Sequence, residues 1–231
     1  MKTRLTIYLL LALMGAATGL HAQVQKDAQL WKGLVLQKTF LDNRIQLSLN
    51  EEVRLRNNMS EVRTSFTDVS LYYKLHKRWA AGLGYRYSVK PDLNGHRLYG
   101  DLVWKPKIKG PLGLTIRTRV QHDFDRLDQG TTLRPRLWLD YNLPKTKLEP
   151  YVGAEPFFRL DEAANFDQFR LYAGLKYPLR KKVELRLGYI MAQDIDGAAR
   201  EQDHSLMVRV TIDLDKDNNK DEIDSEPMLG W

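Results

Sequence analysis

Apolar and polar residues alternate along most of the chain after position 29. In the stretch RIQLSLNEEVRLR (44–56), Leu47 and Leu49 fall on one parity, whereas Glu52 and Arg54 fall on the other. Because successive side chains of a β-strand point to opposite faces, this alternation predicts a strand with one apolar face and one charged face.

The same alternation recurs in about eleven segments, each about 10 to 14 residues long. They lie near 30–40, 44–56, 63–76, 78–89, 96–105, 112–124, 131–143, 147–160, 166–178, 182–193 and 203–214. Strands of soluble proteins usually have about 5 to 6 residues, whereas a tilted strand that crosses a bilayer needs roughly 9 to 11. The segment length therefore predicts an all-β protein, a closed antiparallel transmembrane β-barrel.

We predict 10 to 12 strands for this barrel. Bacterial single-chain barrels normally have an even strand number, which eleven segments do not satisfy. Either a short strand precedes the first segment, within 23–29, or one segment does not span the membrane.

The apolar parity is expected to face lipid. An open sheet edge in hydrocarbon would leave backbone groups unpaired, so the sheet must close, and each arginine facing lipid near the midplane would cost about 2 to 4 kcal/mol. Glu51 lies on the apolar parity, where we expect a bulge or an interfacial depth. The charges expected to face the lumen are Glu52, Arg54, Arg86, Asp101, Arg117, Arg119, Arg134, Arg136, Asp140, Glu149, Glu155, Arg159, Arg170, Glu184, Arg186 and Arg209.

The connections between segments form two alternating series. LDN, HKR, WKPKIKG, LPKTK and PLRKK are short and basic, whereas RNNMSE, KPDLNGH, DRLDQGT, DEAANF and DIDGAARE are longer and often acidic. Outer-membrane barrels have short periplasmic turns and longer external loops. The first series is therefore expected in the periplasm, together with the chain end after Leu214.

The N-terminus has the form of a secretory signal peptide. Two cations in the first four residues precede an apolar run of roughly 15 residues, which is shorter than the roughly 20 of a spanning helix. Cleavage is expected after Ala22. The predicted organisation is a signal peptide (1–22), an outer-membrane barrel (23–214) and a polar periplasmic tail (215–231).

Composition narrows the possible chemistry. The 231 residues include no cysteine, which excludes disulfides, thiolate metal sites and cysteine nucleophiles. The net charge is +7, but arginines that alternate with apolar residues behind a signal peptide argue against nucleic-acid binding. No cofactor and no metal site is predicted.

Two stretches resemble a known family. QLWKGLVLQKTFLDNRIQLSLNEEVRLRNN (29–58) and VRTSFTDVSLYYKLHKRWAAGLGYRY (62–87) are similar to the opening hairpins of the domain of unknown function 2490 (DUF2490) family of Gram-negative outer-membrane barrels. The resemblance covers about 29–214 and implies an outer-membrane location with no established activity. Most barrels end on an aromatic residue, whereas here Leu214 is followed by a polar tail.

Catalytic and metal motifs are weak. The candidates for acid–base chemistry are His122 with Asp123 and Asp125, His96 beside Arg97, and His204 with Ser205. Adjacent strand residues point to opposite faces, so these neighbours are not expected to cooperate, and no enzyme activity is predicted. The tail DLDKDNNKDE lacks the glycine and the spaced glutamate of a calcium loop.

The predicted function is structural or interaction-based, with Arg and Asp/Glu pairs filling the lumen. About 10 strands enclose little space, since 8 are already filled by side chains. A narrow anion-preferring pore for small solutes is the alternative, followed by an outer-membrane hydrolase or acyltransferase and by a soluble lipocalin-like protein. The expected partners are outer-membrane lipid, lipopolysaccharide and a small anionic solute, and no oligomer is implied.

Overall fold

The computed structural model describes residues 26–124, 129–161, 165–195 and 202–215, and the structural statements below concern these residues. They form eleven strands: β1 (Lys26–Phe40), β2 (Ile45–Arg56), β3 (Glu61–His76), β4 (Trp79–Val89), β5 (Gly95–Trp104), β6 (Leu112–Phe124), β7 (Gln129–Tyr141), β8 (Glu149–Arg159), β9 (Asn165–Arg180), β10 (Val183–Asp194) and β11 (Gln202–Asp213). These bounds lie within four residues of the predicted segments.

The strands close into one barrel, in which each pairs with its neighbours in chain order and β1 pairs with β11. The consecutive strands are antiparallel, but β1 and β11 run parallel, from Lys26 opposite Gln202 to Gln37 opposite Asp213. The predicted closed barrel of 10 to 12 strands is therefore confirmed, whereas the expectation of purely antiparallel pairing is wrong at the closing pair. With an odd number of alternating strands, the first and the last must point the same way.

No separate strand precedes the first segment in the described part of the chain. Lys26 to Gln29 are the first residues of β1 itself, which continues without a break to Phe40. All eleven segments thus take part in the barrel, and the even strand number that motivated the hidden-strand expectation is not required here.

The distribution of polar and apolar side chains between the two faces of the sheet is the reverse of that in a soluble protein. Polar and charged side chains are buried inside the barrel, Glu155 and Asp68 among them at 0% and 1% exposure. Each strand exposes large apolar side chains on its outer face, among them Leu34, Leu47, Leu71, Leu83, Leu98, Val120, Leu137, Val152, Leu171, Leu187 and Leu206. Soluble monomers rarely expose apolar patches beyond a few hundred Å², so this surface is that of a transmembrane barrel and not of a lipocalin-like one.

The two ends of the barrel differ in charge. The turns 41–44, 77–78, 105–111, 142–148 and 181–182 contain ten Lys or Arg and one Asp, and we call their side the basic end. The segments that connect the strands on the opposite side, 57–60, 90–94, 125–128, 160–164 and 195–201, contain three Lys or Arg and seven Asp or Glu in the sequence, and we call this side the acidic end. The predicted length difference is small, because two of the basic-end turns have seven residues, as many as the longest acidic-end turn.

Aromatic side chains lie on the outer face near both ends. Trp79 and Trp104 stack near the basic end with ring centroids 5.6 Å apart. Toward the acidic end, Tyr85 hydrogen-bonds His96 at 2.6 Å, and Tyr189 hydrogen-bonds His204. Two such belts are expected where a barrel meets the two membrane–water interfaces.

Glu51 lies on the outer face without a bulge. The pairing of β2 with β1 and β3 is continuous there, and the register shift in β2 falls between Arg54 and Leu55, so the expected bulge at Glu51 is not observed. Instead, Thr67 donates a hydrogen bond of 3.0 Å to the Glu51 carboxylate. Thr67 pairs in turn with Tyr87, which belongs to the acidic-end aromatic belt.

Several expectations about the chain ends lie outside the described residues. The predicted signal peptide and cleavage site fall in 1–25, and the tail is described only as far as Asp215. In the part of the chain that is described, no helix is long and apolar enough to cross a membrane.

Candidate functional site

The lumen is crossed by packed aromatic and aliphatic side chains at mid-height. Trp31, Trp138, Tyr151, Ile190 and Met207 form one buried cluster. Trp31 belongs to β1 and Trp138 to β7, which are on opposite walls of the barrel. Side chains from both walls therefore meet in the lumen, and we call the part of the lumen on the basic-end side of this cluster the basic half.

Glycines fix the orientation of several inward-facing rings. Tyr72, Tyr99, Trp138 and Tyr151 lie directly opposite Gly82, Gly84, Gly153 and Gly174 on the neighbouring strand. A Cβ atom at any of these glycines would overlap the facing ring. Each ring can thus lie against the wall where a side chain would otherwise stand.

A cavity of about 310 Å³ lies on the acidic-end side of the packed cluster. Trp31, Trp138, Ile190 and Met207 form part of its floor, and its wall reaches the acidic end at Arg63, Lys90 and Asp203. The basic side chains that line it are Arg54, Arg63, Arg86, Lys90, Arg97, Arg117, Arg119, Arg134, Arg136, Arg170 and Arg209. We call this cavity the cationic pocket.

Carboxylates pair with many of these cations. Glu155 binds Arg117 at 2.6 Å and Arg134 at 3.1 Å, and Asp101 binds Arg119 through both oxygens at 2.8 and 2.7 Å. Further pairs are those of Arg54 and Arg209 with Glu52, Arg86 with Asp68, Arg97 with Asp123, and Arg63 with Asp203. Because Glu52 and Glu155 each serve two arginines, the pairing does not balance the charge.

Cations outnumber carboxylates around the cationic pocket. Among the described residues, eleven cationic side chains line it, whereas the ion pairs named above involve six carboxylates. Burying charge without compensation is costly, so a surplus inside a narrow lumen attracts anions.

Aromatic rings hold several of the guanidinium groups in place. Arg54 lies 3.7 Å from the centroid of the Trp31 ring, Arg86 lies 3.7 Å from that of Phe66, and Arg134 lies 4.3 Å from that of Phe157. Each such contact contributes about 0.5 to 2 kcal/mol, depending on how far it is desolvated. The rings therefore help to orient guanidinium groups that outnumber the carboxylates around the pocket.

The structure places all sixteen predicted lumen charges on the inward-facing parity. Ten line the cationic pocket: Glu52, Arg54, Arg86, Arg117, Arg119, Arg134, Arg136, Glu155, Arg170 and Arg209. Asp101 binds Arg119, and Arg159 donates to the Gln129 carbonyl at 3.3 Å. Asp140 and Glu149 meet Lys176, and Glu184 binds Arg186, in the basic half.

Sequence reasoning missed the inward-facing aromatic side chains. Trp31, Phe66, Trp138 and Phe157 line the pocket together with the arginines. The parity of these residues within their strands is a signal that they face the lumen. Aromatic residues are also frequent on lipid-facing surfaces, however, so residue type alone favours the outer face. Arg97, which the sequence offers only as a neighbour of His96, faces inward and binds Asp123 at 2.6 Å.

The catalytic candidates are separated by the sheet. His122 contacts Thr131 at 2.9 Å on the outer face, whereas Asp123 binds Arg97 inside. His204 hydrogen-bonds Tyr189 outside, whereas Ser205 is buried inside. Asp125 lies outside the described residues. Within those residues, no group of three His, Asp or Glu side chains is arranged to hold a metal ion.

A family model described as "Protein of unknown function (DUF2490)" matches residues 28–203 of the sequence. The chain belongs to this family. The resemblance seen in the opening hairpins is thereby confirmed, and the match spans the strands from β1 to the start of β11.

This DUF2490 barrel is also similar to solved porin structures at low identity. A structure titled "KdgM porin" has 18% sequence identity and a TM-score of 0.44, and the match covers 68% of this chain and 81% of that chain. A structure of the NanC porin has 12% identity and a TM-score of 0.49, and the match covers 76% of this chain and 90% of that one. A search of curated proteins finds no match.

Proposed function

We propose that this DUF2490 protein is an integral outer-membrane β-barrel that binds a small anion in the cationic pocket and does not form an open channel. The observation that carries the proposal is that eleven cationic side chains line a cavity of about 310 Å³, where the described ion pairs involve only six carboxylates. Pockets for small molecules usually have about 300 to 1,000 Å³, so the occupant is a small solute.

Closure of the lumen is supported by the cluster that joins β1 to β7. Trp138 and Ile190 are each 1% exposed, and Tyr151 is 3% exposed. Water and ions would have to displace these side chains to pass from the pocket to the basic half. The geometry therefore favours binding at one end over free permeation.

The second candidate is the narrow anion-preferring pore. The same positive surplus favours it, since rings of arginine select anions in a pore. It requires the cross-lumen cluster to open. An enzyme is the third candidate, but its best-placed pair, His122 and Asp123, lies on opposite faces of the sheet.

Two measurements on the purified full-length chain test the proposal. We expect no conductance steps in planar bilayers, and we expect citrate to raise the unfolding temperature because binding to the folded state stabilises it. Anion-selective conductance steps that disappear in Arg117→Glu and Arg134→Glu variants would establish the pore instead. Recovery of the exported chain in the soluble fraction would exclude the membrane assignment.

A further inference from the structure

Arg170 differs from the other cations of the pocket in its partners. It lies on β9, directly opposite Glu155 on β8 and Ala192 on β10. The Ala192 side chain offers no hydrogen-bond acceptor. Of the two residues directly opposite Arg170, Glu155 is therefore the one that carries a carboxylate.

Glu155 already accepts hydrogen bonds from three donors. One of its oxygens accepts from Arg117 at 2.6 Å and from Arg134 at 3.1 Å, and the other accepts from the Tyr172 hydroxyl at 2.6 Å. A carboxylate has two oxygens with limited acceptor capacity, and three donors of fixed geometry occupy this one. Among the described residues, no carboxylate lies within ion-pair distance of Arg170.

Ring faces flank the Arg170 guanidinium. Its central carbon lies 4.5 Å from the centroid of the Phe157 ring and 5.7 Å from that of the Trp31 ring. The Nε atom is buried and has no hydrogen-bond partner. Rings stabilise the charge but satisfy none of the five N–H donors, which therefore remain available to an anion in the pocket.

From this we infer that Arg170 is the primary anion-binding residue of the cationic pocket, where it takes one carboxylate or phosphate group of a compact, multiply charged anion. The inference rests on the proposed function and adds the residue and the ligand class. A guanidinium binds such groups through two parallel hydrogen bonds.

The pocket walls favour an oxygen-rich ligand over an aromatic acid. The faces of Trp31, Phe66 and Phe157 are covered by guanidinium groups at 3.7, 3.7 and 4.3 Å. An apolar ligand body would find these faces occupied. A small anion with two or more charges instead matches both the volume of the cavity and its lining by guanidinium groups.

The test is isothermal titration calorimetry of the detergent-solubilised full-length chain with citrate, pyrophosphate and acetate. We expect binding of citrate or pyrophosphate and at least about tenfold weaker binding of acetate. Tighter binding of citrate would indicate a site for carboxylate groups, and tighter binding of pyrophosphate would indicate a site for phosphate groups. In Arg170→Gln the preferred anion should bind about tenfold or more weakly, in line with the loss of a hydrogen bond to a charged group.

Arg186→Gln is the matched control. Arg186 also faces the lumen, but it binds Glu184 at 3.0 Å in the basic half and does not line the pocket. Affinity within about twofold of the parent is expected for this variant, because the removed charge lies outside the pocket. Arg170→Lys keeps the positive charge but lacks the planar guanidinium group that makes two parallel hydrogen bonds. The affinity of this variant for the preferred anion should therefore lie between those of the parent and Arg170→Gln.

The outcomes separate the two proposals. If the parent binds citrate or pyrophosphate and Arg170→Gln binds it equally well, the assignment to Arg170 is wrong and the anion pocket stands. Equal weakening by Arg170→Gln and Arg186→Gln would show that overall lumen charge governs binding, which also overturns the assignment. If the parent binds neither anion, the proposed function itself fails.

Discussion

At the residue scale, a few fully buried acids organise the lumen. Glu155 accepts hydrogen bonds from β6, β7 and β9, and Glu52 joins β2 to β11 across β1. Such buried pairs are not a source of large net stability, but leaving one partner alone is costly. Their main effect is to hold the arginines at defined positions, and this shapes the cationic pocket.

A second feature at this scale is a glycine that lies directly opposite an inward-facing aromatic ring. Tyr99 lies against Gly84 and donates a hydrogen bond of 2.6 Å to Asp68. In Gly84→Ala the new methyl group would overlap the Tyr99 ring, which must move and lose this bond. We expect the free energy of unfolding in lipid vesicles to fall by about 1 to 3 kcal/mol, as for other overpacked sites.

Gly100→Ala provides the comparison for this substitution. Gly100 faces outward, and the nearest atom to its added Cβ would be a Leu83 methyl carbon at 3.8 Å. The free energy of unfolding should change by less than about 0.5 kcal/mol, because nothing must move. Similar losses at both glycines would show that loss of glycine from the strands, and not the overlap with Tyr99, causes the effect.

At the element scale, the parallel pair β1–β11 is the joint that closes the barrel. Beyond the paired residues, the Leu214 amide donates to the Gln37 carbonyl at 2.8 Å, and the Thr39 amide donates to the Asp215 carboxylate at 2.8 Å. Lys182, in the turn before β10, donates to the Asp215 carbonyl. Three chain segments thus meet at the basic end of the seam.

Asp215→Ala is expected to weaken this closure. The Thr39 amide would lose its acceptor, and the free energy of unfolding should fall by about 1 to 2 kcal/mol, the usual effect of leaving a partly buried donor unpaired. Denaturant titration of the barrel in vesicles measures it. Asp92→Ala, which removes an exposed carboxylate at the opposite end, should have an effect below about 0.5 kcal/mol. If Asp215→Ala lowers the free energy of unfolding no more than Asp92→Ala does, closure of the barrel does not depend on the Asp215 contact.

At the scale of the whole molecule, the turns carry opposite net charges at the two ends, +9 at the basic end and −4 at the acidic end. The cationic pocket opens toward the acidic end. If the basic turns face the periplasm, as the sequence indicates, the pocket faces the external medium. Its anion would then be captured from outside the cell.

Single cysteines test this orientation cleanly, because the chain contains none. Asp92→Cys lies in a turn of the acidic end and Lys107→Cys in a turn of the basic end. A membrane-impermeant maleimide added to intact cells should label Asp92→Cys alone and should label both variants after lysis. Labelling of Lys107→Cys alone on intact cells would reverse the orientation and place the pocket toward the periplasm.

The sequence predicted the barrel well because its signal is local. Alternation with period two, sustained for about ten residues, identifies a strand and its two faces without knowledge of its neighbours. Arg117 and Leu83 could therefore be assigned to the inside and the outside from parity alone. The strand count was less certain, since an expectation taken from other barrels competed with the eleven segments that the chain itself shows.

The inside-out pattern, the long strands and the charge of the connections follow from the order of residues alone, because each depends on residues adjacent in the chain. The parallel closure of β1 on β11 becomes visible only in the folded barrel, since pairing between chain ends has no local signature. It also decided that Glu155 serves Arg117 and Arg134 and leaves Arg170 with ring contacts alone. Which charges neutralise one another depends on distances across the lumen, which the order of residues does not contain.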